Sequence, residues 1–457
     1  SSRRRHTRYA DRSRGLGDVY KRQGKKVVAI DRAAKTVTAE DGTTAAYDKL
    51  LIATGSVPFI IPVPGRDLAG VLTYRDLDDV NAMLIAAENG GHAVVIGGGL
   101  LGLEAAAGLK ARGMEVTVVH LMPTLMERQL DAAAGGLLKR ALEDRAIKVI
   151  TKANTKEILA THDSRGSTRV RGVVLDDGAE IAADIVVMAV GIRPNAAIAK
   201  EAGLETNRGI VVDERLRTSD PDILAVGECV EFNGNVYGLV APLYEQANIV
   251  SNELTGLGGA GFTDKALATK LKVTGVDLFS AGDFADAEGR EEIVLRDATR
   301  GVYKRLVLED DKVVGAVLFG DTSDSSWFFQ HIKDGTDISE MRDTLIFGPA
   351  YAGGTQADPS AAVATLPTDA EICGCNGVCK GTIVAAIDEQ GLTSIDDVRV
   401  HTKASASCGT CSGLVEQLLA LSLGDAYDAA AVRAMCGCTD LGHAEVRRLI
   451  VAKELKS

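Results

Sequence analysis

The sequence predicts an α/β protein: two three-layer domains with parallel sheets, an α+β domain after them, and a small helical, cysteine-rich module at the end. Three observations predict it. Strand, glycine turn, helix and strand follow one another between residues 92 and 190, the order that builds a parallel sheet flanked by helices. Two further strand-to-glycine segments, 47–56 and 218–228, bracket that stretch and close a second domain around it. Seven of the eight cysteines fall after position 370. At 457 residues the chain exceeds one core, and about 150 residues per domain suggests about three domains.

Composition narrows the function classes. The hydrophobic share of 46% and charged share of 25% are ordinary for a globular chain. A net charge of −12 argues against nucleic acid as a partner. No uninterrupted apolar run reaches the roughly 18 residues of a membrane span, so no membrane is expected. Eight cysteines without a secretory leader point to metal rather than disulfides, and to the cytoplasm.

The first 23 residues stand apart, with eight Arg or Lys against two acids and no apolar period. A basic arm for nucleic acid and a transit peptide are both conceivable. The reading adopted is a translated adaptor or assembly artefact, which leaves a remainder of charge −18. From Lys26 the text becomes regular. Lys26–Asp31 and Lys35–Glu40 read as strands, and Asp41-Gly42 as a turn. Tyr47–Ser56 is a buried strand running into a glycine turn. A loop with Pro58, Pro62 and Pro64 crosses to the next domain.

There, Ala93–Ile96 is a strand followed directly by Gly97-Gly98-Gly99-Leu100-Leu101-Gly102, which opens a helix over Leu100–Arg112 and leads to the strand Val116–Val119. Gly97 permits the tight turn, Gly99 lets a pyrophosphate approach the backbone, and Gly102 lets helix and strand pack closely. The helix N-terminus adds free N–H groups and positive dipole. In this full setting the motif predicts dinucleotide binding. The position closing the second strand, where NAD-preferring sites carry Asp or Glu, is His120. Neutral imidazole neither grips ribose hydroxyls as a carboxylate does nor repels a 2′-phosphate, so the choice between NADH and NADPH stays open. A second crossover lies at Gly191–Asn195. Residues 263–350 read as alternating strands and helices in a separate α+β unit, and Ala357–Leu366 as a small-residue linker.

Two segments resemble the glutathione-reductase-like flavoproteins: Tyr47–Ser56 with its Ala53-Thr54-Gly55 turn, and Thr218–Glu228 ending Ala225-Val226-Gly227-Glu228. Their order around the coenzyme unit, with Gly191-Ile192-Arg193-Pro194-Asn195 between, strengthens the likeness. The resemblance implies FAD held by Thr54, Gly55, Gly227 and Glu228, NAD(P)H held by Gly97, Gly99 and Gly102, and Gly191, at the crossover, among the cofactor-binding residues. In that superfamily the ribityl carboxylate is usually Asp, and Glu228 departs by one methylene. The superfamily also begins with another strand–G-x-G-x-x-G–helix. Nothing before Lys26 supplies it, since Arg14–Asp18 lacks the strand and the third glycine, so the native N-terminus is expected to be missing.

Cys373-x-Cys375 and Cys408-x-x-Cys411 supply four thiolates in two close pairs, a donor set that suits zinc or iron–sulfur. Cys373–Val378 resembles the [2Fe-2S] module of bacterioferritin-associated ferredoxin, which implies a [2Fe-2S] cluster on Cys373, Cys375, Cys408 and Cys411. A one-electron acceptor beside a flavin is chemically apt. Cys379 reads as a packed or spare thiol, and Cys229 as structural. Cys436-Gly437-Cys438 repeats the first pair. It is expected to open a second cysteine module cut short at Ser457, or else to be packed thiols.

Tyr237–Gln246, Thr269–Gly275, Phe319-Gly320-Asp321 and His120–Glu127 resemble the large subunits of NAD(P)H-dependent nitrite reductases over about positions 24–457. That likeness implies electrons passing from NAD(P)H through FAD and iron–sulfur to a [4Fe-4S]–sirohaem centre, with nitrite reduced to ammonia. The sirohaem half-domains lie further C-terminal in the family. A downstream sirohaem domain or small subunit is the expected partner, with a homodimer also expected. Two rivals are a free-standing reductase serving a separate nitrate or nitrite reductase, and a non-enzymatic iron–sulfur docking protein for a partner such as bacterioferritin. The resulting division is 1–23 non-native, 24–64 with 191–262 FAD-binding, 65–190 NAD(P)-binding, 263–356 α+β, 366–425 the [2Fe-2S] module, and 430–457 the start of a second module.

Overall fold

The computed structural model describes residues 21–162, 168–264, 268–273, 275–352 and 363–427, except 365, 375, 408, 410, 425, 426. Most of the N-terminal segment, Cys375, Cys408, most of the linker, Cys436 and Cys438 lie outside these residues. The chain divides into two compact units. The first holds residues 21–57, 193–238 and 245–263 of the described chain, and the second holds 58–192, 239–244 and everything from 264 onward.

In the first unit Val27–Asp31, Thr36–Ala39 and Thr44–Ala46 form an antiparallel sheet, turned at Lys35 and Gly42, both at positive φ. Leu50–Ile52 pairs in parallel with Ile223–Ala225, in the register Leu50↔Ile223 to Ile52↔Ala225. Ile52, Leu216, Ile223, Leu224, Ala225, Cys229 and Val230 are buried, so short apolar runs become core strands. Ion pairs fasten the antiparallel sheet to the turn before Ile223. Arg32 reaches Asp220 at 2.7 Å, and Lys35 and Lys49 both reach Asp222, at 2.5 and 2.8 Å. The two lysines hold the Asp222 carboxyl down at about 2.

The second unit carries a five-stranded parallel sheet in the order Val71–Thr73, Ile185–Met188, His92–Ile96, Glu115–Val119, Ile147–Ile150. The strand His92–Ile96 and the helix Leu100–Ala111 fall within a residue of their predicted places. A neighbouring helix, Ala132–Glu143, is capped by Asp131, which accepts from Ala134 N–H at 2.8 Å.

Residues 268–319 depart from the expected alternation of strands and helices. Five strands run in succession as one antiparallel sheet, ordered Ala268–Val273, Val276–Gly282, Lys312–Phe319, Val302–Glu309, Glu291–Asp297. Only then comes the helix Ser325–Asp334. The reason is local. Asp310 and Asp311 both adopt positive φ and make a two-residue hairpin between Glu309 and Lys312, a turn that leaves no room for a helix. Side chains alternate across this sheet. Phe279, Leu306, Leu308, Ala316 and Leu318 meet Phe328 and Phe329 of the helix. Leu278, Tyr303, Val317 and Phe319 enter the core of the parallel sheet, with Leu109, Leu138 and Leu142. At that seam Tyr303 OH donates to Asp131 Oδ2 at 2.6 Å.

The cysteine module has its own core. A short hairpin, Glu371–Cys373 with Val378–Cys379, precedes helices Lys380–Gln390, Ile395–Thr402 and Ser412–Leu423. Among the described residues no helix is long and apolar enough to cross a membrane.

Candidate functional site

Each glycine of the 97–102 loop has a distinct reason to lack a side chain. Gly97 takes φ 120°, and a Cβ there would stand 2.2 Å from Ala189 O. A Cβ on Gly102 would stand 2.0 Å from Gly97 O, because the helix lies directly on the turn. A Cβ on Gly98 would meet Leu125 Cδ2 at 2.5 Å and His120 Cγ at 2.7 Å. Gly99 differs. Its φ is −84°, open to any residue, and an added Cβ meets no protein atom within 4 Å. Neither strain nor internal packing demands glycine there. What the position leaves is an open face at the start of a helix, where first-turn N–H groups have no intrahelical acceptor and the dipole is positive. An open, donor-rich face free of side chains fits a pyrophosphate.

His120, at the end of the second strand, is buried. Its Nδ1 accepts from Gly98 N–H at 3.0 Å, and its Nε2 lies 3.1 Å from both Thr124 O and Glu127 Oε2.

In the first unit, parallel pairing of Leu50–Ile52 with Ile223–Ala225 brings out the turns 53–56 and 226–228 side by side. Gly55 and Gly227 take left-handed φ of 66° and 97°, and neither would put a Cβ within 4 Å of another protein atom. Thr54 Oγ1 donates to Asn195 O at 2.6 Å, and Asn195 N–H returns a bond to Gly55 O at 2.8 Å. Ser56 Oγ donates to Glu228 Oε2 at 2.8 Å, and Gly227 N–H donates to Oε1 of the wholly buried Gln246 at 2.9 Å. The result is two bare glycine turns with a carboxylate between them, a fit for the hydroxyl-rich chain of a flavin cofactor. Sequence reasoning picked out Thr54, Gly55, Gly227 and Glu228 but not Ser56, Asn195 or Gln246 as their partners. Gly191 belongs to the second unit, at φ 108°, with its carbonyl taken by Phe59 N–H.

Of the four predicted cluster ligands, Cys373 and Cys411 are described. Both are buried in the module core, and neither is disulfide-bonded. Among the described residues no three metal-ligating side chains come together; Cys375 and Cys408 fall outside them. Asn376, which the sequence did not flag, joins the two loops: its Nδ2 donates to Lys403 O at 2.7 Å, and its Oδ1 accepts from Ser407 Oγ at 3.1 Å. The loop so joined is tightly held. Lys403 and Ser405 sit at positive φ, and Arg399 Nε donates to Ser405 O at 3.0 Å. Soft thiol donors, buried as Cys373 and Cys411 are, suit an iron–sulfur cluster. Cys379 caps the next helix and meets Thr382 Oγ1 at 3.2 Å, a hydrogen bond that lowers its thiol below the ordinary range. Cys229 is buried against Val226 O.

Residues 4–249 match the pyridine nucleotide-disulphide oxidoreductase profile. Residues 268–336 match the rubredoxin NAD+ reductase C-terminal domain, and residues 371–420, which include all four predicted ligands, match the BFD-like [2Fe-2S] binding domain. The chain is 46% identical over 430 residues to a nitrite reductase [NAD(P)H] of Bacillus subtilis, covering 94% of this chain and 52% of that one. It is 38% identical to the assimilatory nitrate reductase electron transfer subunit of the same organism, covering 91% and 52%. The chain thus spans about half the length of the curated relatives it matches. Among solved structures, a ferredoxin reductase from Rhodopseudomonas palustris aligns with TM-score 0.60 and 29% identity over 74% of this chain and 78% of that one. A NAD-dependent persulfide reductase from A. fulgidus aligns with TM-score 0.62 and 28% identity over 69% and 63%. The α/β class expected from the sequence is the class of these neighbours.

Proposed function

This chain belongs to the pyridine nucleotide-disulphide oxidoreductase family, and from that membership we propose that it moves electrons from NAD(P)H through FAD to a [2Fe-2S] cluster, as the electron-input half of a nitrite reductase. The observation that carries the reading is the open, side-chain-free face at Gly99, set at a helix start between two parallel strands. It supports the binding of a dinucleotide phosphate at this helix start.

The residues have separate tasks. Gly97 and Gly102 hold the turn against its helix, and Gly99 admits the coenzyme pyrophosphate to the N–H groups of the first turn. Thr54, Gly55 and Gly227 shape the flavin turns, and Glu228, oriented by Ser56, accepts from hydroxyl groups of the flavin's side chain. Cys373, Cys375, Cys408 and Cys411 ligate the cluster, with Asn376 tying their loops together. Bound FAD supplies the exchange between two-electron and one-electron chemistry, which no side chain can perform. Sequence likeness to the Bacillus subtilis nitrite reductase supports nitrite as the final acceptor. Its reduction to ammonia is assigned to a [4Fe-4S]–sirohaem domain or small subunit that receives electrons from this half. A homodimer in the cytoplasm, where thiolates stay reduced, completes the reading.

The electron transfer subunit that matches over a similar span supports a second reading, in which the acceptor is a separate nitrate reductase. One experiment tests both. The full-length native protein is reduced anaerobically with NAD(P)H, followed by its visible spectrum and electron paramagnetic resonance, and then given nitrite. Flavin bleaching, a reduced [2Fe-2S] signal and ammonia are expected. A bound zinc with no cluster signal overturns the cluster assignment, and electron uptake without ammonia favours the second reading.

A further inference from the structure

We propose that His120 positions the coenzyme loop through Gly98 and makes no contact of its own with the coenzyme ribose. The inference rests on the reading of residues 97–102 as the coenzyme site and deepens it. A backbone amide can only donate, so the 3.0 Å bond from Gly98 N–H fixes Nδ1 of His120 as an acceptor without a proton. The ring proton is then on Nε2, where both neighbours at 3.1 Å, Thr124 O and Glu127 Oε2, are acceptors. Both nitrogens are therefore committed inside the protein. The ring is only 7% exposed, and a ribose hydroxyl arriving at the strand end finds neither nitrogen open.

Gly98 is built around this ring. A Cβ at 98 would fall 2.7 Å from His120 Cγ, so the absence of a side chain admits the imidazole. The Gly98 carbonyl is taken as well, by Met126 N–H at 3.0 Å. The residue just before the open position 99 is thus held at both its N–H and its carbonyl by the segment 120–126. A carboxylate in the place of His120 would reach toward the ribose, whereas this imidazole turns inward and braces the turn that the pyrophosphate meets. The expected effect on binding is the same whether or not the ribose carries a 2′-phosphate.

The test uses the 457-residue chain and two probes, ADP-ribose and 2′-phospho-ADP-ribose, titrated by calorimetry into wild type, His120→Leu and His120→Asn. Leucine fills the buried slot without an acceptor. Asparagine has the same branching and places Oδ1 near the present Nδ1. Leucine is expected to weaken both probes by about tenfold or more, with the ratio of their affinities kept within about threefold, and asparagine to restore both. Unchanged affinity in His120→Leu, or an asparagine variant as weak as leucine, overturns the proposal. So does a tenfold shift in the ratio, which would place residue 120 against the ribose. Wild type that binds neither probe overturns the coenzyme reading itself, and this inference with it.

Discussion

Replacing Gly99 and Gly102 by alanine, one at a time, separates coenzyme binding from folding. At Gly102 the added Cβ would stand 2.0 Å from Gly97 O and 3.0 Å from Gly97 C. The obstacle is backbone, so relief requires the helix to move off its strand. Overpacking of this kind costs about 1–3 kcal/mol, which at about 2–4 °C per kcal/mol lowers the melting temperature by roughly 2–12 °C. At Gly99 an added Cβ meets no atom within 4 Å beyond its own chain neighbours, and φ is −84°. Alanine there narrows the unfolded ensemble, a gain of about 0.4–1 kcal/mol. It also loses the preference for glycine at a helix N-cap, about 0.5–1 kcal/mol in the other direction. The two nearly cancel, and the melting temperature should stay close to wild type. The methyl group still occupies the face over which a pyrophosphate reaches the first-turn N–H groups, so affinity for ADP-ribose should fall by about tenfold or more, about 1.4 kcal/mol. Scanning calorimetry and titration calorimetry on the two variants provide the measurement. A Gly99→Ala protein that binds as wild type does, or melts as low as Gly102→Ala, refutes the assignment.

Other perturbations follow from the same geometry. Tyr303→Phe removes the hydroxyl that meets Asp131 at 2.6 Å and should lower unfolding free energy by about 1–3 kcal/mol in urea; an unchanged midpoint would count against a structural role for the seam. Burial pushes the Asp321 carboxyl up, but Lys304 and Ser323 pull harder and hold it at about 2, below its ordinary 3.8. A carboxyl depressed on folding stabilises above its unfolded value, so this contribution should fade as pH drops from about 4 toward 2, and Asp321→Asn should flatten that part of the melting-temperature profile. Asn376→Ala should speed iron loss to a chelator by about fivefold, the worth of about 1 kcal/mol, while Cys379→Ser leaves iron content near wild type. Equal iron loss in Asn376→Ala and wild type would show that the two loops do not depend on that side chain.

What the sequence made legible was local chemistry. The glycine loop could be read because its turn and helix start lie within six consecutive residues. The cysteine pairs stood out because two close pairs of thiols are a spacing that suits a soft metal centre. What stayed hidden depends on chain segments meeting in space. Ser56 and Glu228 are 172 positions apart, and nothing near Ser56 marks it as the partner of that carboxylate. His120 was visible as an oddity, but its role is set by a bond to Gly98, 22 residues earlier. The antiparallel sheet of 268–319 was misread because Asp310-Asp311 lacks the usual glycine of a tight hairpin, yet both residues accept the left-handed conformation.

The seam at Asp131 bears on how this protein could have been assembled, or could be re-engineered, by shuffling parts. One oxygen of Asp131 caps the helix Ala132–Glu143, and the other takes the hydroxyl of Tyr303. Together with Tyr303, Leu278, Val317 and Phe319 complete a hydrophobic core whose other buried members lie between Met83 and Val187. The sequence offers a border near residue 264, but the energy does not. A foreign sheet grafted there would have to bring a donor for Asp131 and three apolar side chains of matching shape, or leave the parallel sheet with an open flank. Exchange at this position is therefore an exchange of interfaces, and the antiparallel sheet and its parallel-sheet neighbour should travel as a pair.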